Sequence, residues 1–359
     1  MADLLRRRAL LGGTAKQKPT ETYLISQSQI SWDTDIHFQD GDILEYEGCF
    51  NECAGPGDHS IAVFRTTSST TEQNGRTKRP STNKQIAYYN FNTAYVNVDV
   101  AVGLYATLLT IDTSTKTFTV EKSNGTTGSA TWSTSGFPAS TSFLRFYTAP
   151  WVCFKRITHK RNGVTIANYV AKRYNGAPCM YEEISGQYYY NVSGTPDIIP
   201  STPLFVSNEI ASRATSGTIT LNSNYTVSLV STAAKSWNLY YAPKKADAGI
   251  FPTYGTLKGK KIVCLVDTEF VSQATEGSTT AYFYLRLASA VNSYAHVRAT
   301  GGKIISGGRQ KFVYKLTDDI WTNGTTTITD SLYVRYGVAL YADSGAELLV
   351  KSVYCYIEE

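Results

Sequence analysis

Turn-forming dipeptides divide the stretch from residue 162 to residue 194 into short runs that suit β-strands. The dipeptide Asn162-Gly163 tolerates the positive φ angles of a tight hairpin turn, so the runs on either side are predicted to pair as antiparallel strands. Two further turns and two short strands follow: Asn175-Gly176, Cys179-Met180-Tyr181, Ser185-Gly186 and Tyr188-Tyr189-Tyr190. Closely spaced turns exclude long helices here and predict a compact unit of hairpins.

Short strands separated by turns are also predicted before residue 162. The segment Val96 to Val100 alternates apolar and polar residues with a period of two, as in a strand with one buried face. A long polar loop is predicted between Ser68 and Asn83. Strands are predicted at Asp42–Phe50, Ser60–Thr66, Gln85–Phe91, Tyr95–Thr110, Thr117–Glu121, Phe143–Tyr147 and Trp151–Thr158. Short strands joined by turns predict a β-sandwich.

A second set of strands follows a break in the pattern. Three prolines between Pro196 and Pro203 interrupt any ladder, so this segment is the best candidate boundary. Eight strands are predicted after it, as in a jelly roll: Thr218–Leu221, Tyr225–Val230, Trp237–Tyr241, Lys261–Phe270, Ala281–Ala288, Lys311–Leu316, Tyr333–Tyr341 and Leu348–Ile357. We therefore predict an all-β chain with an N-terminal arm at 1–20, a sandwich at 21–196, a linker at 197–210 and a second sandwich at 211–359.

Charge and hydropathy give no sign of nucleic-acid or membrane binding. Charged residues make up 18% of the 359 residues, and the formal net charge is +5. Basic residues are spread along the chain, with only Arg6-Arg7-Arg8 in a tight run, so no nucleic-acid partner is expected. No apolar run approaches the ~20 residues that span a bilayer, and no membrane partner is expected. The basic N-terminus does not have the pattern of a signal peptide.

The cysteines and histidines share no metal-binding spacing. Six cysteines and four histidines are scattered, and the closest pair, Cys49 and Cys53, would need two further ligands to hold zinc. We expect no metal and no cofactor. Free thiols packed as small apolar residues are the expected state in a protein made in a reducing cytoplasm.

The N-terminus has the pattern of a short capped helix. Asp3 can cap a helix that runs from Leu4 to Leu11 and ends at Gly12-Gly13. A helix this short is marginal alone and needs a partner to become ordered. The residues expected to dock are Leu4, Leu5, Arg6, Arg7, Arg8 and Leu11. A disordered tail with chance charges is the alternative.

Two segments resemble proteins of one group of viruses. The order of turns, basic pair Lys172-Arg173, Met180-Tyr181 and aromatic strand in residues 162 to 194 resembles the end of concanavalin-A-like (laminin-G-like) sandwich domains. Such domains occur in fibre and head-decoration proteins of tailed phages of gut Bacteroidales, the crAss-like phages. The basic start is similar to those of virion proteins from the same phages. The final hairpin, from Tyr341 to Val353, resembles that of carbohydrate-binding jelly-roll modules.

Catalysis is not expected. A glycosidase needs two carboxylates that face each other across a sugar. Glu45 and Glu47 would lie on the same face of a strand, as in concanavalin-like glucanases, but Glu45-Tyr46-Glu47-Gly48 reproduces only two members of the longer acidic motif of those enzymes. Exposed strand carboxylates are the simpler interpretation, and we predict a protein without catalytic residues.

Aromatic residues of the second sandwich are candidates for glycan binding. Sugars lay their C–H faces on aromatic rings, and Trp237, Tyr240 and Tyr241 lie close together on a strand predicted at a sheet edge. Trp321 lies in a polar loop. Core or subunit packing is the alternative for each of these residues.

The resemblance implies a structural virion protein of a tailed phage, made in the bacterial cytoplasm. A head fibre or capsid-decoration protein is the first hypothesis, and a tail fibre or receptor-binding protein is the second. Other virion proteins are the expected partners through the arm, a homo-oligomer is expected, and host glycans are candidate ligands. A bacterial glycan-binding surface protein or glycosidase is the hypothesis from another class.

Overall fold

The computed structural model shows a chain built almost wholly of antiparallel β-strands. It describes residues 22–26, 30–37, 39–50, 59–66, 75–79, 85–90, 94–101, 103–131, 142–148, 152–190, 196–201, 203–204, 210–224, 226–242, 252–272, 279–288, 296–318 and 328–358. The predicted arm, with all six docking residues, lies outside these ranges. So does Trp321.

Sixteen strands are described before residue 200. They are β1 Tyr23–Ser26, β2 Ile30–His37, β3 Asp42–Phe50, β4 His59–Thr66, β5 Gly75–Arg79, β6 Gln85–Asn90, β7 Ala94–Ala101, β8 Gly103–Asp112, β9 Thr117–Lys122, β10 Thr127–Thr131, β11 Ser142–Thr148, β12 Val152–Arg161, β13 Val164–Tyr174, β14 Ala177–Glu182, β15 Tyr188–Tyr189 and β16 Pro196–Ile199.

Ten strands and one short helix follow. They are β17 Ala211–Ala214, β18 Gly217–Leu221, β19 Val227–Ser231, β20 Ser236–Ala242, α1 Tyr254–Leu257, β21 Lys261–Ser272, β22 Thr280–Ala288, β23 His296–Ile304, β24 Gly308–Lys315, β25 Tyr333–Ala342 and β26 Glu347–Glu358. No described helix is long and apolar enough to cross a membrane.

The strands form four sheets, two in each half of the chain. In the first half, a ten-stranded sheet has the order β10-β9-β8-β3-β12-β13-β14-β15, with β1 paired to β12 and β16, and a six-stranded sheet has the order β2-β11-β4-β5-β6-β7. In the second half, two five-stranded sheets have the orders β17-β20-β25-β22-β23 and β18-β19-β26-β21-β24. The predicted all-β sandwich fold is confirmed.

The predicted hairpins are confirmed by their backbone angles. Asn162 and Gly163 have φ of 49° and 76°, and Arg161 pairs with Val164 across the turn. Asn175 and Gly176 have φ of 49° and 82° between β13 and β14. Both residues of each turn therefore have the positive φ that a type I′ hairpin requires.

The two halves are joined by a shared apolar core and by ion pairs. The core of the first half is rich in aromatic residues, with Trp32 5.1 Å from Phe146 between ring centroids. Val263, Tyr354 and Tyr356 of the second half are buried in that same cluster. Both Arg173 and Arg309 form salt bridges with Asp197, which lies between the halves in sequence. The predicted linker at 197–210 begins inside β16, which pairs with β1.

All eight strands predicted in the second half are present, but the sequence missed seven others in the chain. β5 lies within the predicted loop from Ser68 to Asn83, and the predicted strand Tyr95–Thr110 is in fact β7 and β8. The other strands missed by the prediction are β1, β2, β10, β16, β17 and β23. The loop prediction was wrong because Gly75 to Arg79 has a polar, charged sequence, and its strand structure comes from pairing with β4 and β6.

Candidate functional site

One face of the sheet that contains β20 is covered with aromatic side chains. Along β20 the side chains alternate, so Trp237, Leu239 and Tyr241 lie on the outer face while Tyr240 joins the core between the two sheets. Tyr240 is 1% exposed, and burial raises its pKa well above the usual value for tyrosine. The structure therefore places two of the three predicted aromatics of this strand together and separates the third from them.

The strand β20 is not at the sheet edge. It pairs with β17 on one side and with β25 on the other. The prediction of an edge strand was wrong because β17, with the sequence Ala-Ser-Arg-Ala, has no run of β-branched or aromatic residues that would mark it as a strand.

We call the outer cluster formed by Trp237, Tyr241, Tyr282, Tyr284 and Tyr341 the aromatic plate. The ring centroid of Trp237 lies 6.0 Å from that of Tyr282, 6.4 Å from that of Tyr284 and 5.9 Å from that of Tyr341. Tyr282 and Tyr284 stack on each other at 5.7 Å. These separations are within the range of favourable aromatic contacts, so the rings support one another as a single surface.

Small residues on the central strand allow the rings to meet. Ala339 and Gly337 of β25 lie between the plate residues of β20 and those of β22: Ala339 pairs with Leu239 and Tyr282, and Gly337 pairs with Tyr241 and Tyr284. Strands on either side of a central strand are about 9.6 Å apart, so a large side chain at either position would separate the rings. A Cβ at position 337 would also lie 3.0 Å from the carbonyl oxygen of Tyr240.

The plate has a buried end and a more open end. Tyr241 and Tyr284 are each 1% exposed, whereas Trp237, Tyr282 and Tyr341 are half-buried. At the buried end the guanidinium of Arg286 lies 5.5 Å from the ring centroid of Tyr241 and 5.6 Å from that of Tyr284, within cation–π range. A ligand would therefore meet the three half-buried rings.

A second arginine adds charge at the buried end. Arg335 pairs with Arg286 across β25 and β22 and is 1% exposed. Burial lowers the pKa of its guanidinium. The two side chains place positive charge beside the rings.

Sequence reasoning missed Tyr282, Tyr284, Tyr341 and Arg286. The signal for the first two was present, since Ala281–Ala288 was predicted as a strand and the tyrosines are two residues apart on it. Tyr341 contacts Trp237 only because β25 pairs with β20, and nothing local in the sequence specifies that pairing.

A charged cleft lies on the outer face of the ten-stranded sheet. It has a volume of about 420 Å³ and is lined by Glu45, Glu47, Thr107, Leu108, Glu121, Lys122, Ser123, Arg156 and Thr158. Glu45 and Glu47 share one face of β3, as the sequence predicted. Lys160 Nζ lies 2.5 Å from Glu45 Oε1, and Lys155 Nζ lies 2.5 Å from Glu47 Oε1. Each carboxylate thus has a lysine partner, whereas a glycosidase needs one of the pair to protonate the glycosidic oxygen.

The described residues contain no group of three or more histidine, cysteine, aspartate or glutamate side chains that could hold a metal ion.

Comparisons with known proteins find no family. No family model matches the sequence, and no curated protein matches it. The solved structures with similarity include the tandem CBM22-1-CBM22-2 domain of Paenibacillus barcinonensis Xyn10C, at 11% identity and a TM-score of 0.30 over 92% of this chain and 82% of that one. They also include TmCBM61 in complex with beta-1,4-galactotriose, at 9% identity and a TM-score of 0.25 over 42% of this chain and 88% of that one.

The enzymatically active domain of bacteriophage CBA120 tailspike protein 4 matches at 10% identity and a TM-score of 0.25. The match covers 42% of this chain and 19% of the tailspike chain. At these identities and TM-scores the matches carry no functional argument.

Proposed function

We propose that this chain is a non-catalytic glycan-binding protein and that the aromatic plate is its binding surface. The observation that carries the proposal is the row of half-buried rings of Trp237, Tyr282 and Tyr341 on one sheet face. Partly exposed rings held in place by neighbouring rings offer a sugar a rigid apolar surface with little loss of side-chain entropy on binding.

The polar groups of a glycan need partners as well as rings. The phenol oxygens of Tyr282 and Tyr341 can donate and accept hydrogen bonds to sugar hydroxyl groups at the open end. Arg286 provides donors toward the buried end, where it already lies beside two tyrosine rings. Apolar rings combined with a few convergent polar groups are the usual composition of a ligand site.

Binding to a glycan array and titration calorimetry with the best glycan test the plate directly. Trp237→Ala should weaken binding about fivefold, because stacking contributes of order 1 kcal/mol and 1.4 kcal/mol is tenfold. Trp237→Phe should restore part of the loss. Tyr174→Ala is the matched control, since Tyr174 is 42% exposed and lies on β13, outside the plate.

Circular dichroism must show that each variant is folded. A wild-type chain that binds no glycan on a broad array contradicts the proposal. So does a Trp237→Ala variant that is folded and binds as tightly as the wild type.

We further propose that the chain is displayed on the particle of a tailed phage, as a head fibre or capsid-decoration protein. A tail fibre or receptor-binding protein is the alternative. The support is the sequence resemblance of residues 162 to 194 and of the basic arm to virion proteins of these phages. Mass spectrometry of purified particles with imaging by labelled antibody tests the location, and absence of the chain from particles would contradict it.

A further inference from the structure

Four of the cysteines lie opposite one another in two pairs of neighbouring strands. Cys264 of β21 pairs with Cys355 of β26, and Cys49 of β3 pairs with Cys153 of β12. All four thiols are free in the structure and buried. The fifth described cysteine, Cys179, is opposite Lys172 and serves below as a control.

The backbone hydrogen bonds near Cys264 and Cys355 show whether these opposed residues form a hydrogen-bonded or a non-hydrogen-bonded pair. The carbonyl oxygen of Cys355 accepts a hydrogen bond of 2.7 Å from the amide of Leu204, so this residue directs its backbone groups away from β21. The carbonyl oxygen of Lys260, the residue before β21, accepts a hydrogen bond of 3.2 Å from the amide of Leu316, the residue after β24. The backbone groups of Lys260 therefore point toward β24. Because backbone direction alternates along a strand, Cys264 also faces β24 and away from β26.

Cys264 and Cys355 are therefore a non-hydrogen-bonded pair. Opposed residues of this kind have Cα atoms about 4.5 Å apart, which is the closer of the two spacings in an antiparallel ladder. A disulfide requires Cα atoms about 4.4 to 6.8 Å apart, so this pair can be bridged without moving either strand. The two side chains also point to the same face, since both belong to the core between the five-stranded sheets.

The folded core protects these thiols from reagents. Cys264 and Cys355 are each 0% exposed. Burial raises the pKa of the Cys264 thiol well above its usual value, and the hydrogen bond with Cys355 raises it further. Because the thiolate is the reactive form, the pair in the folded chain is inert, and any bond between them has to form while the chain folds.

We propose that Cys264 and Cys355 are a disulfide site, closed when the chain folds in the presence of a disulfide oxidant such as oxidised glutathione. The thiolate of one cysteine attacks the glutathione disulfide, forming a mixed disulfide and releasing one glutathione thiol. The thiolate of the other cysteine attacks the protein sulfur of that mixed disulfide and releases the second glutathione. The two cysteine protons end on the two glutathione thiols, so one disulfide is reduced as one is formed.

Cys49 and Cys153 do not form an equivalent disulfide site. The thiol of Cys153 lies 3.6 Å from the carbonyl oxygen of Cys49 and donates to it, and β12 has a bulge between Phe154 and Arg156 beside the pair. The regular ladder on both sides of Cys264 and Cys355 has no such irregularity near the pair.

The experiment unfolds the full chain under reducing conditions and refolds it either with reduced and oxidised glutathione or with reductant alone. Iodoacetamide then alkylates the remaining thiols in denaturant, and the chain is mapped by peptide mass spectrometry. We expect a peptide that joins Cys264 to Cys355 only after refolding with oxidised glutathione, with Cys179 alkylated in both samples.

The oxidised chain should also melt at a temperature on the order of 5 to 15 °C higher than the reduced chain, because the bridge closes a loop of about 90 residues. Cys355→Ala should abolish the difference. Two results overturn the proposal: alkylation of Cys264 and Cys355 in both refolded samples, and pairing of either one with a different cysteine. The mapping uses the wild-type chain, so it does not depend on whether the variant folds.

Discussion

Removal of the Asp42 carboxylate should cost more stability than any other single change to a charged side chain of the ten-stranded sheet. Asp42 Oδ2 lies 2.7 Å from Nε2 of His159, and both side chains are 0% exposed. Arg161 donates to the same carboxylate through Nε and Nη2, each at 2.8 Å. The amide of Gln39 donates to it at 3.0 Å. The carboxylate therefore accepts four hydrogen bonds, three of them from side chains on β12.

Asp42→Ala leaves the buried His159 and the Arg161 guanidinium without their shared acceptor. Removing one member of a buried ion pair costs about 3 to 5 kcal/mol, because the buried member that remains, here His159, loses the acceptor that offset its desolvation. Asp112→Ala is the matched control on the neighbouring strand β8. Its carboxylate accepts bonds from Ser114 and Thr115 in an exposed turn, and losing a bond of that kind costs about 1 kcal/mol.

Urea unfolding followed by tryptophan fluorescence measures the difference. Asp42→Ala should lower the free energy of unfolding by at least about 2 kcal/mol more than Asp112→Ala. Equal losses in the two variants would refute the reasoning, because they would mean that the buried cluster contributes no more than an exposed turn.

The same cluster predicts a loss of stability in acid. Burial alone would raise the pKa of Asp42, but the hydrogen bonds from Arg161 and His159 outweigh it and hold the pKa below the usual value of 3.8. A folded pKa below the unfolded one gives stability that is present in full above about pH 4 and is lost as the pH falls through the folded pKa. Asp42→Asn should remove this step from a plot of stability against pH.

Two further predictions concern the same strand. Gly48→Ala should unfold or severely destabilise the first half. The added Cβ would lie 2.0 Å from the carbonyl oxygen of Cys153, which is a backbone atom and cannot move aside. A melting temperature near that of the wild type would contradict this prediction. The double change Glu45→Gln and Glu47→Gln should leave glycan binding by the plate unchanged. Polysaccharide cleavage by the wild type that this double variant loses would show that the charged cleft is catalytic.

The strands that can be predicted from the sequence are those whose own residues favour a strand or whose ends are marked by turn residues. The eight strands predicted in the second half carry β-branched or aromatic residues, and the Asn-Gly turns carry the only residues that enter positive φ at low cost. The sequence could have predicted β1 and β2, which contain β-branched and aromatic residues, but other strands that it missed carry a weaker signal. β23, for example, contains Gly301-Gly302 in its middle, and it exists because it pairs with β22 along its length.

The site was predicted less completely than the fold, because a surface on a sheet is assembled from strands that are distant in sequence. Alternation along β20 would have placed Trp237 and Tyr241 on one face and Tyr240 on the other. No local pattern predicts that Tyr341 lies opposite Trp237, or that the small residues Gly337 and Ala339 lie between β20 and β22 and allow their rings to meet.

Because the two halves of the chain are in contact, the half that carries the aromatic plate and the half that carries the charged cleft are expected to fold together. Val263, Tyr354 and Tyr356 project from the outer face of β21 and β26 into the core of the first half, where each is at most 6% exposed. Fully burying side chains of this size contributes of order 1.5 to 3 kcal/mol each, so separating the halves would forfeit several kcal/mol of stability. Asp197 would also lose its ion pair with either Arg173 or Arg309. A change that weakens this contact should therefore destabilise both halves, even though the plate itself lies on the opposite sheet of the second half.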